Sequence, residues 1–485
     1  MQEAKQFVEV LYESTEDLQS IFLQFEEVSL MSMGEILMYH PVEYDVATRK
    51  KAFSVMMRLL KCDPVDVKKR WGLLLDAVYV SFLSPDYDDL NADLREGYQF
   101  IIEEIEKTVS ERSFVLDDER QSDSNERQDA PVVIVTSQFL KTSHAPTRRV
   151  LDYAYTIKTR LHVPVVIVND SCMNGENHWV SFNYADVYNE MKEYQYKDEA
   201  FPFLQIPKIM PDIDEIIKVL SYIRNLKPRL VYNVSGYSIV ADLCRAFAKT
   251  ASIPCAIDFP VSMAEYMVLP RGLRETDEKT IKTFKSWQKP VISRYNYIYP
   301  RGDSDDYKRT DYGINEEDFV LAVVGNRLET EMRDEFLMVI RDILNKFKNA
   351  CVLFIGNIDD KERIAGIIEE NKRLVFAGNV SNGGECVKMA DLYIQPTRAG
   401  GGRSAFEAAY HGLPVVTVRY GDVWGTMGDE FTVEDYDGMR EKISEYINDK
   451  TYYDVMSKKA KQRADELEDM EGTFVDLFEK LDVKY

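Results

Sequence analysis

Apolar side chains recur at a spacing of three and four over the first part of the chain. The pattern is clearest in RKKAFSVMMRLLKC, DVKKRWGLLLDAVYVSFL and LREGYQFIIEEIEKTV, and no alternating β-branched run interrupts it. Because this spacing places apolar side chains on one face of a helix, residues 1–118 are predicted to form an all-helical N-terminal domain. The segment 116–131, LDDERQSDSNERQDAP, is almost wholly polar, and we interpret it as an exposed linker.

From residue 132 onwards, uninterrupted apolar runs alternate with helical patterns. PVVIVTSQFL and VPVVIVND have the composition of buried strands, and DIDEIIKVLSYIRNLKPRLVYNVSG and SIVADLCRAFAKTASIPCAIDFP repeat the helix–strand order. Solid Val/Ile runs separated by helices indicate a parallel sheet that is covered on both faces. Residues 130–300 are therefore predicted to form a first Rossmann-like domain.

A second series of the same kind begins near residue 319. FVLAVVGN, ACVLFIGN, RLVFAGNV, DLYIQP and PVVTV are predicted strands with helical patterns between them. Residues 313–470 are predicted to be a second doubly wound domain, followed by a C-terminal helix over 471–485, and the polar stretch 299–318 connects the two series. The predicted fold class is α/β, with two tandem Rossmann-like domains after a helical N-terminal domain.

Composition and charge narrow the classes of function. The 485 residues carry 83 acidic and 60 basic side chains, a formal net charge of −23, which disfavours nucleic acid as a partner. The six cysteines are scattered without metal-ligand spacing, and they are expected to be reduced thiols rather than zinc ligands. The N-terminus lacks the pattern of a signal peptide, and no run approaches the roughly 18 apolar residues of a membrane span. We expect a cytoplasmic protein with no transmembrane segment.

The segment PTRAGGGRSAFEAAYHGLP, residues 396–414, carries the strongest chemical signal. Gly400, Gly401 and Gly402 follow a predicted strand, and Ser404 lies near the start of the next predicted helix. Unobstructed amides at a helix N-terminus form an anion site. Glu407, one turn into the helix, can offer two carboxylate oxygens to a vicinal diol such as that of a ribose. The alternative is a plain tight turn followed by a surface glutamate.

Two further strand ends carry candidate binding residues. FVLAVVGNRLETEMRDEF ends a strand at Gly325 and Asn326, and Arg327 and Arg333 follow in positions suited to gripping a diphosphate, since guanidinium binds phosphate oxygens bidentately. The alternative for Arg333 is a solvated pair with a neighbouring carboxylate.

RLVFAGNV ends the third strand of this series. Asn379 and Val380 follow it, where the backbone could bond the edge of a base while an apolar side chain covers its face. An ordinary strand-to-helix turn explains the same spacing equally well.

These segments together resemble the donor site of GT-B glycosyltransferases, most closely the retaining family-4, or group 1, type. The resemblance is specific over 319–430 and extends to 130–300, the acceptor-side domain, only through its strand–helix order. It implies a nucleotide-sugar donor with UDP favoured, a hydroxyl acceptor on a glycan, glycolipid or protein, retention of configuration, and no metal or cofactor. It also places Arg403 in the donor-binding loop, and it assigns stabilisation of the leaving diphosphate to Arg327 and Arg333.

The chain departs from the family pattern at two points. Ala399 stands where the family often has a second glutamate, eight residues before Glu407. No histidine lies near IPCAIDFP, where the acceptor-side domain of the family commonly has one. His144, in the loop TSQFLKTSHAPT, is the substitute candidate for a catalytic residue that faces the donor, and the alternative is an ordinary loop histidine.

Two other classes of protein share parts of this pattern. Inverting protein-glucosylating transferases also carry a helical N-terminal domain, but their ribose-binding residue is usually aspartate rather than the glutamate found at position 407. A catalytically silent subunit that stabilises a partner transferase is the non-enzyme alternative, and the missing glutamate at Ala399 favours it. The helical domain is also a candidate for oligomerisation.

Overall fold

The computed structural model describes most of the chain. The described residues are 2–13, 46–62, 65–83, 90–112, 129–142, 144–173, 191–255, 258–299, 307–370 and 372–485. Most of the predicted linker 116–131 and part of the predicted connector 299–318 lie outside these ranges. The chain divides into two compact units, Met1–Ser293 with Glu471–Tyr485, and Arg294–Met470. Each unit is described by itself.

The first unit begins with helices, as the apolar spacing predicts. Its N-terminal helices are α1 (Gln2–Glu13), α2 (Val46–Leu59), α3 (Val67–Leu83) and α4 (Leu90–Glu111). They share one hydrophobic core with the sheet that follows, and Trp71 is fully buried there. Trp71 donates from Nε1 to the carbonyl of Cys172 at 2.7 Å, and Arg95 donates from Nη1 to the carbonyl of Pro260 at the same distance. The helices are therefore packed into the α/β part of the unit.

The sheet of the first unit has eight strands in the order β3-β4-β2-β1-β5-β6-β7-β8. Its strands are parallel except for β3, which pairs antiparallel with β4 at the edge. The strands are β1 (Val132–Thr136), β2 (Val165–Asn169), β3 (Glu193–Tyr196), β4 (Glu199–Gln205), β5 (Leu230–Ser235), β6 (Thr250–Pro254), β7 (Tyr266–Leu269) and β8 (Lys289–Ile292). The other helices of this unit are α5 (Ala145–Arg160), α6 (Ile213–Leu226), α7 (Ile239–Leu243), α8 (Asp277–Ile281) and α17 (Met470–Lys480).

The second unit is built on six parallel strands in the order β11-β10-β9-β12-β13-β14. The strands are β9 (Phe319–Val324), β10 (Ala350–Ile355), β11 (Leu374–Gly378), β12 (Leu392–Ile394), β13 (Val415–Val418) and β14 (Thr432–Val433). Its helices are α9 (Leu328–Glu331), α10 (Asp334–Lys346), α11 (Lys361–Ile368), α12 (Gly383–Cys386), α13 (Gly402–Tyr410), α14 (Gly421–Met427), α15 (Tyr436–Asn448) and α16 (Lys450–Glu468).

This strand order fixes where the second sheet changes direction. Strands β9, β10 and β11 follow one another toward one edge, and β12, β13 and β14 follow one another toward the other edge. The loops after β9 and β12 therefore diverge from a common point, which is where doubly wound sheets bind ligands. The predicted fold class, two parallel-sheet α/β domains with a helical N-terminal region, is confirmed.

Candidate functional site

Two loops meet at the point where the second sheet reverses its strand order. The loop after β9 contains Gly325, Asn326 and Arg327, and the loop after β12 runs from residue 395 to residue 401. Arg398 in the second loop donates from Nη2 to the carbonyl of Val324, the last residue of β9, at 2.5 Å. The tertiary fold thus brings together two candidate segments that lie far apart in the sequence.

The glycines of these loops have packing reasons that the sequence does not reveal. A Cβ on Gly325 would lie 2.1 Å from Nη1 of Arg398, and a Cβ on Gly401 would lie 2.7 Å from Nε2 of Gln395. Gly401 also has a φ of +112°, a conformation that side chains disfavour. A Cβ on Gly402 would lie 2.6 Å from Oγ1 of Thr426. Clearance for the protein's own side chains therefore requires glycine at these positions.

The N-terminus of α13 has no side-chain cap, and the same is true of α9, α10 and α14 in this unit. Asp360, Asp435 and Asp449 cap α11, α15 and α16 through their carboxylates. At α13 the capping position is Gly401, which has no side chain that could accept a hydrogen bond from the first backbone amides. Ser404 is half-buried and lies within the first turn. The first amides of a helix need partners from outside the helix, and anions are effective ones.

The side chain of Glu407 is held in the second turn of α13. Its Oε1 accepts a hydrogen bond of 3.0 Å from Nε of Arg403, and Nη2 of Arg403 donates to the carbonyl of Ile298 at 3.1 Å. The Glu407 side chain is 14% exposed, and a Cβ on Gly384 would lie 3.0 Å from its carboxyl carbon. Arg403, predicted as a donor-binding residue, therefore pairs with Glu407 in this structure.

Arg327 lies at the start of α9 and is the more exposed of the two predicted phosphate-binding arginines. Its Nη2 and Nε lie 2.9 Å and 3.1 Å from Oε1 of Glu331. The Arg327 side chain is 47% exposed, whereas that of Glu331 is 9% exposed. The guanidinium is thus tethered on one side and accessible on the other.

Arg333 precedes α10 and is half-buried. Two of the carboxylates near it in sequence have partners elsewhere: Glu329 accepts from the backbone amide of Asp359, and Asp334 pairs with Arg363. Burial raises the pKa of the Tyr436 phenol, and the positive charge of Arg333 partly opposes that rise. Because the hydroxyl of Tyr436 accepts from the backbone amide of Thr397 at 3.0 Å, Arg333 lies near the glycine-rich loop.

The candidate base-binding residues follow β11. Gly378 ends this strand with a φ of +71°, Asn379 is exposed, and Val380 is half-buried against the core of the second unit. Asn382 then caps the short helix α12, and Gly384 of that helix lies against Glu407. The turn after β11 and the helix α13 are therefore neighbours.

His144 belongs to the first unit. It precedes α5, and its Nδ1 lies 3.0 Å from Oγ1 of Thr147. Burial lowers the pKa of the imidazole to about 4, because desolvation disfavours the charged form. At neutral pH the ring is therefore uncharged.

Buried polar side chains lie at the carboxyl edge of the first sheet. Asp170, directly after β2, accepts a 2.5 Å hydrogen bond from Oγ of Ser238, which caps α7. Asp242 in α7 accepts a 2.5 Å hydrogen bond from the hydroxyl of Tyr98, a residue of α4. Burial raises the pKa of Asp170 to about 6. Helix α4 thus contributes to a buried polar network at an edge where open sheets commonly hold ligands.

Sequence reasoning missed several residues of the site in the second unit. Arg398 stands inside the quoted glycine-rich segment, and Glu331 follows Arg327 by four residues, a spacing that indicates an ion pair on a helix. A third group, formed by Tyr299, Glu385 and His411, comes from separate segments, and no local sequence pattern predicts it. The hydroxyl of Tyr299 lies 2.5 Å from Oε1 of Glu385 and 2.9 Å from Nε2 of His411, which itself lies 2.9 Å from the carbonyl of Gly384.

Neither a metal-binding cluster nor a membrane-spanning helix is found among the described residues. In those ranges, no group of three or more His, Cys, Asp and Glu side chains is arranged to hold a metal ion. Within the same part of the chain, none of the helices combines the length and the apolar character that a membrane crossing requires.

A family model matches most of the second unit. Residues 304–463 match the model of the family described as glycosyl transferases group 1. This match falls on the segment that carries the resemblance in the sequence, and the resemblance is confirmed. Comparison with curated protein sequences gave no match to this chain.

Solved structures share the fold at low sequence identity. The structure of Anabaena Alr3699/HepE in complex with UDP and glucose is 13% identical, with a TM-score of 0.51 over 73% of this chain and 99% of that chain. Sucrose-phosphate synthase from Thermosynechococcus elongatus is 12% identical, with a TM-score of 0.50 over 73% and 99%. A mutant O-GlcNAc transferase from Thermobaculum terrenum is 12% identical, with a TM-score of 0.53 over 99% and 98%. These likenesses establish the GT-B fold of the chain.

Proposed function

We propose that this chain, whose residues 304–463 match the glycosyl transferases group 1, transfers a sugar from a nucleotide-diphosphate sugar to an acceptor hydroxyl. The donor binds at the point where the second sheet reverses its strand order, and a UDP-sugar is favoured. The acceptor is a hydroxyl of a glycan, glycolipid or protein, and the anomeric configuration is retained. One observation carries this proposal: the uncapped N-terminus of α13 lies in the same site as Arg327, an exposed cation, and Glu407.

The diphosphate is the first group that this site accommodates. The first amides of α13 and the guanidinium groups of Arg327 and Arg333 supply donors and positive charge where negative charge develops on the leaving group. Such preorganised donors stabilise the transition state, because they need not reorient during the reaction. In this proposal the arginines supply the charge that a bound cation supplies elsewhere, and no metal is required.

The nucleoside binds on the other side of the glycine-rich loop. Glu407 accepts hydrogen bonds from the ribose hydroxyls, sharing its carboxylate with Arg403. The turn at Asn379 and Val380 covers the base, since β11 ends next to the helix that packs on Glu407. The HepE structure is a complex with UDP, which supports uracil as the base.

Two positions set this chain apart within the proposed mechanism. Ala399 offers no carboxylate to the donor sugar, so the grip on that sugar differs from the common family pattern. His144 remains the candidate for a catalytic residue that faces the donor, and its neutral imidazole suits a role as hydrogen-bond partner.

A second candidate function is the transfer of sugar to protein side chains with inversion of the anomeric configuration. The O-GlcNAc transferase structure aligns over 99% of this chain and so includes its helical region. A glutamate at position 407, where the inverting protein-glucosylating enzymes usually have aspartate, favours the retaining enzyme over this candidate. A catalytically silent subunit that stabilises a partner transferase is the third alternative, and Ala399 is the feature that favours it.

The experiment that tests the proposal is calorimetric titration of the full-length protein with UDP and GDP, followed by a hydrolysis screen across UDP- and GDP-sugars. We expect UDP to bind and one UDP-sugar to be hydrolysed slowly in the absence of acceptor. Failure of both nucleotides to bind at millimolar concentration would contradict the proposal. Binding without turnover of any sugar nucleotide, with or without acceptor, would favour the silent subunit. Modification of hydroxyl-bearing peptides with inversion of the anomeric configuration would favour the second candidate.

A further inference from the structure

A buried arginine joins the two loops of the candidate site. Arg398 is 7% exposed and sits in the loop after β12. Its Nη2 donates to the carbonyl of Val324 at 2.5 Å and to Oε1 of Gln395 at 3.0 Å, and its Nη1 donates to Oε2 of Glu331 at 2.7 Å. Because Gly325 has no side chain, the guanidinium fits directly under the loop after β9.

Glu331 binds two guanidinium groups at once. Its Oε2 accepts from Arg398, and its Oε1 accepts from Arg327 at 2.9 Å and 3.1 Å. The Glu331–Arg398 pair is almost fully removed from water, since the side chains are 9% and 6% exposed. Ion pairs are screened less in such surroundings, so Arg398 is a strong competitor for the carboxylate.

Arg327 is the member of this triad that an incoming anion can reach. Its side chain is 47% exposed, whereas the other two are buried. A phosphate that binds Arg327 must compete with Glu331 for the same guanidinium. The strength of the Glu331–Arg327 pair therefore sets how readily Arg327 binds phosphate.

We propose that Arg398 is a positioning residue that controls, through Glu331, the availability of Arg327 to the diphosphate of the donor. This inference rests on the proposed function. Arg398 engages Oε2 of Glu331, so Arg327 is held through one oxygen and keeps donors for phosphate. Without Arg398, both carboxylate oxygens are open to Arg327, and a bidentate pair competes more strongly with the ligand.

The test compares UDP with uridine, which lacks phosphate, on the full-length protein. UDP affinity is measured by calorimetry and uridine affinity by ligand-observed NMR for the wild type, Glu331→Gln and Arg398→Gln. We expect Glu331→Gln to bind UDP about fivefold more tightly and Arg398→Gln about fivefold more weakly, the scale of one partly exposed ion pair. Uridine affinity remains that of the wild type in both variants.

Combined variants show whether the effect passes through the triad. The effect of Arg398→Gln on UDP binding disappears in the Glu331→Gln background, and that of Glu331→Gln disappears in the Arg327→Gln background. Glu434→Gln is the matched control, because it makes the same change of charge in an exposed pair with Arg419 elsewhere in the second unit. We expect its UDP affinity to equal that of the wild type.

UDP affinity is expected to rise in Glu331→Gln and to fall in Arg398→Gln, and these opposite changes distinguish a positioning role from support of the fold. Weaker binding of both UDP and uridine in Glu331→Gln and Arg398→Gln would indicate a purely structural role and overturn the inference. If Arg398→Gln does not fold, the UDP affinity of Glu331→Gln is compared in the wild-type and Arg327→Gln backgrounds. Tighter UDP binding in the first background and no change in the second supports the inference, and any other result overturns it. UDP binding by the wild type with no effect of these variants removes the inference and leaves the proposed function standing. Absence of UDP binding in the wild type removes both.

Discussion

Nε of Arg403 lies 3.0 Å from Oε1 of Glu407, one turn further along α13. The same arginine donates to the carbonyl of Ile298, so both ends of this contact are fixed within the second unit. The carboxylate proposed to bind the ribose therefore already has a strong charged partner. A diol must bind through the remaining lone pairs of the carboxylate.

Glu407→Ala is expected to weaken UDP binding by about 1–3 kcal/mol, the cost of removing hydrogen bonds to a charged group. Uridine binding weakens by a similar amount, because the ribose is common to both ligands. Calorimetry with UDP and NMR with uridine measure the two effects. Glu434→Ala is the control, since it removes an exposed carboxylate from the same unit. An unchanged affinity for UDP in Glu407→Ala would remove this residue from the site.

Arg327→Ala and Arg333→Ala are expected to weaken UDP binding by about 1–3 kcal/mol each, because each removes a charged donor from the diphosphate. Uridine binding stays unchanged, since these side chains are assigned to phosphate. The dependence of UDP affinity on salt also becomes shallower, which titrations at two ionic strengths measure. Equal losses for UDP and uridine would contradict a phosphate-binding role for the arginine concerned.

Gly325→Ala is expected to lower the free energy of unfolding by about 1–3 kcal/mol, the range for overpacking a filled site. The added Cβ would lie 2.1 Å from Nη1 of Arg398, whose guanidinium is fixed by its hydrogen bonds. Gly366→Ala, within helix α11, is the matched control, because a Cβ there meets nothing within 4 Å. It is expected to stabilise the protein by about 0.5–1 kcal/mol through helix propensity. Chemical denaturation measures both, and equal signs would refute the packing explanation.

Asp170→Asn tests the pH dependence that burial imposes. The pKa of Asp170 is raised to about 6, above the usual value of about 3.9, so the folded state holds its proton more tightly than the unfolded state. Its contribution to stability is present below about pH 4 and is lost as the pH rises through about 6. A pKa difference of about two between the folded and unfolded states corresponds to about 3 kcal/mol of unfolding free energy. The wild type loses this stabilisation between about pH 4 and pH 7, and the asparagine variant does not, because its side chain does not titrate.

Urea denaturation at several pH values measures this effect as the difference in unfolding free energy between Asp170→Asn and the wild type. We expect the difference to move in favour of the variant as the pH rises. Asp214→Asn, at an exposed aspartate that pairs with Arg112, is the control. A difference that stays constant across the range would show that Asp170 does not titrate as described.

The imidazole of His144 is expected to titrate near pH 4, because burial lowers its pKa from the usual value of about 6.5. The stability that depends on the neutral ring is present above about pH 6.5 and is lost as the pH falls through about 4. NMR titration of the imidazole resonances, assigned with His144→Gln, measures the midpoint. A midpoint at or above about 6.5 would contradict the buried, neutral histidine.

Local patterns in the sequence are enough to predict many of the elements of the fold. Solid Val/Ile runs predict strands such as β1 and β9, and three-to-four spacing predicts helices such as α4, because side-chain periodicity follows directly from backbone geometry. The glycine-rich segment and Glu407 predict the family, since their chemistry is contained within the consecutive residues 396–414.

Only the tertiary structure gives Gly401 and Gly402 a packing reason. The sequence predicts that Gly401 leaves room for a phosphate, and the structure adds a packing reason, since its missing side chain clears Gln395 and Arg398. The structure also decides the partners of the charged residues. The i, i+4 spacing allows Arg403 to pair with Glu407 within one helix, and the structure shows that this pair forms.

The sequence by itself determined the α/β class, the strands that are solid apolar runs and the segment that carries the donor-site signature, but it did not predict β3, β4, β7, β8 or β14. The structure decided that Arg398 meets Val324, 74 residues earlier in the chain, and that Glu331 joins Arg398 to Arg327. The physical reason is the strand order: β9 and β12 are neighbours in the sheet although β10, β11 and the helices around them separate the two strands in sequence. Periodicity specifies each strand, but only packing of the whole sheet specifies which strand lies beside it.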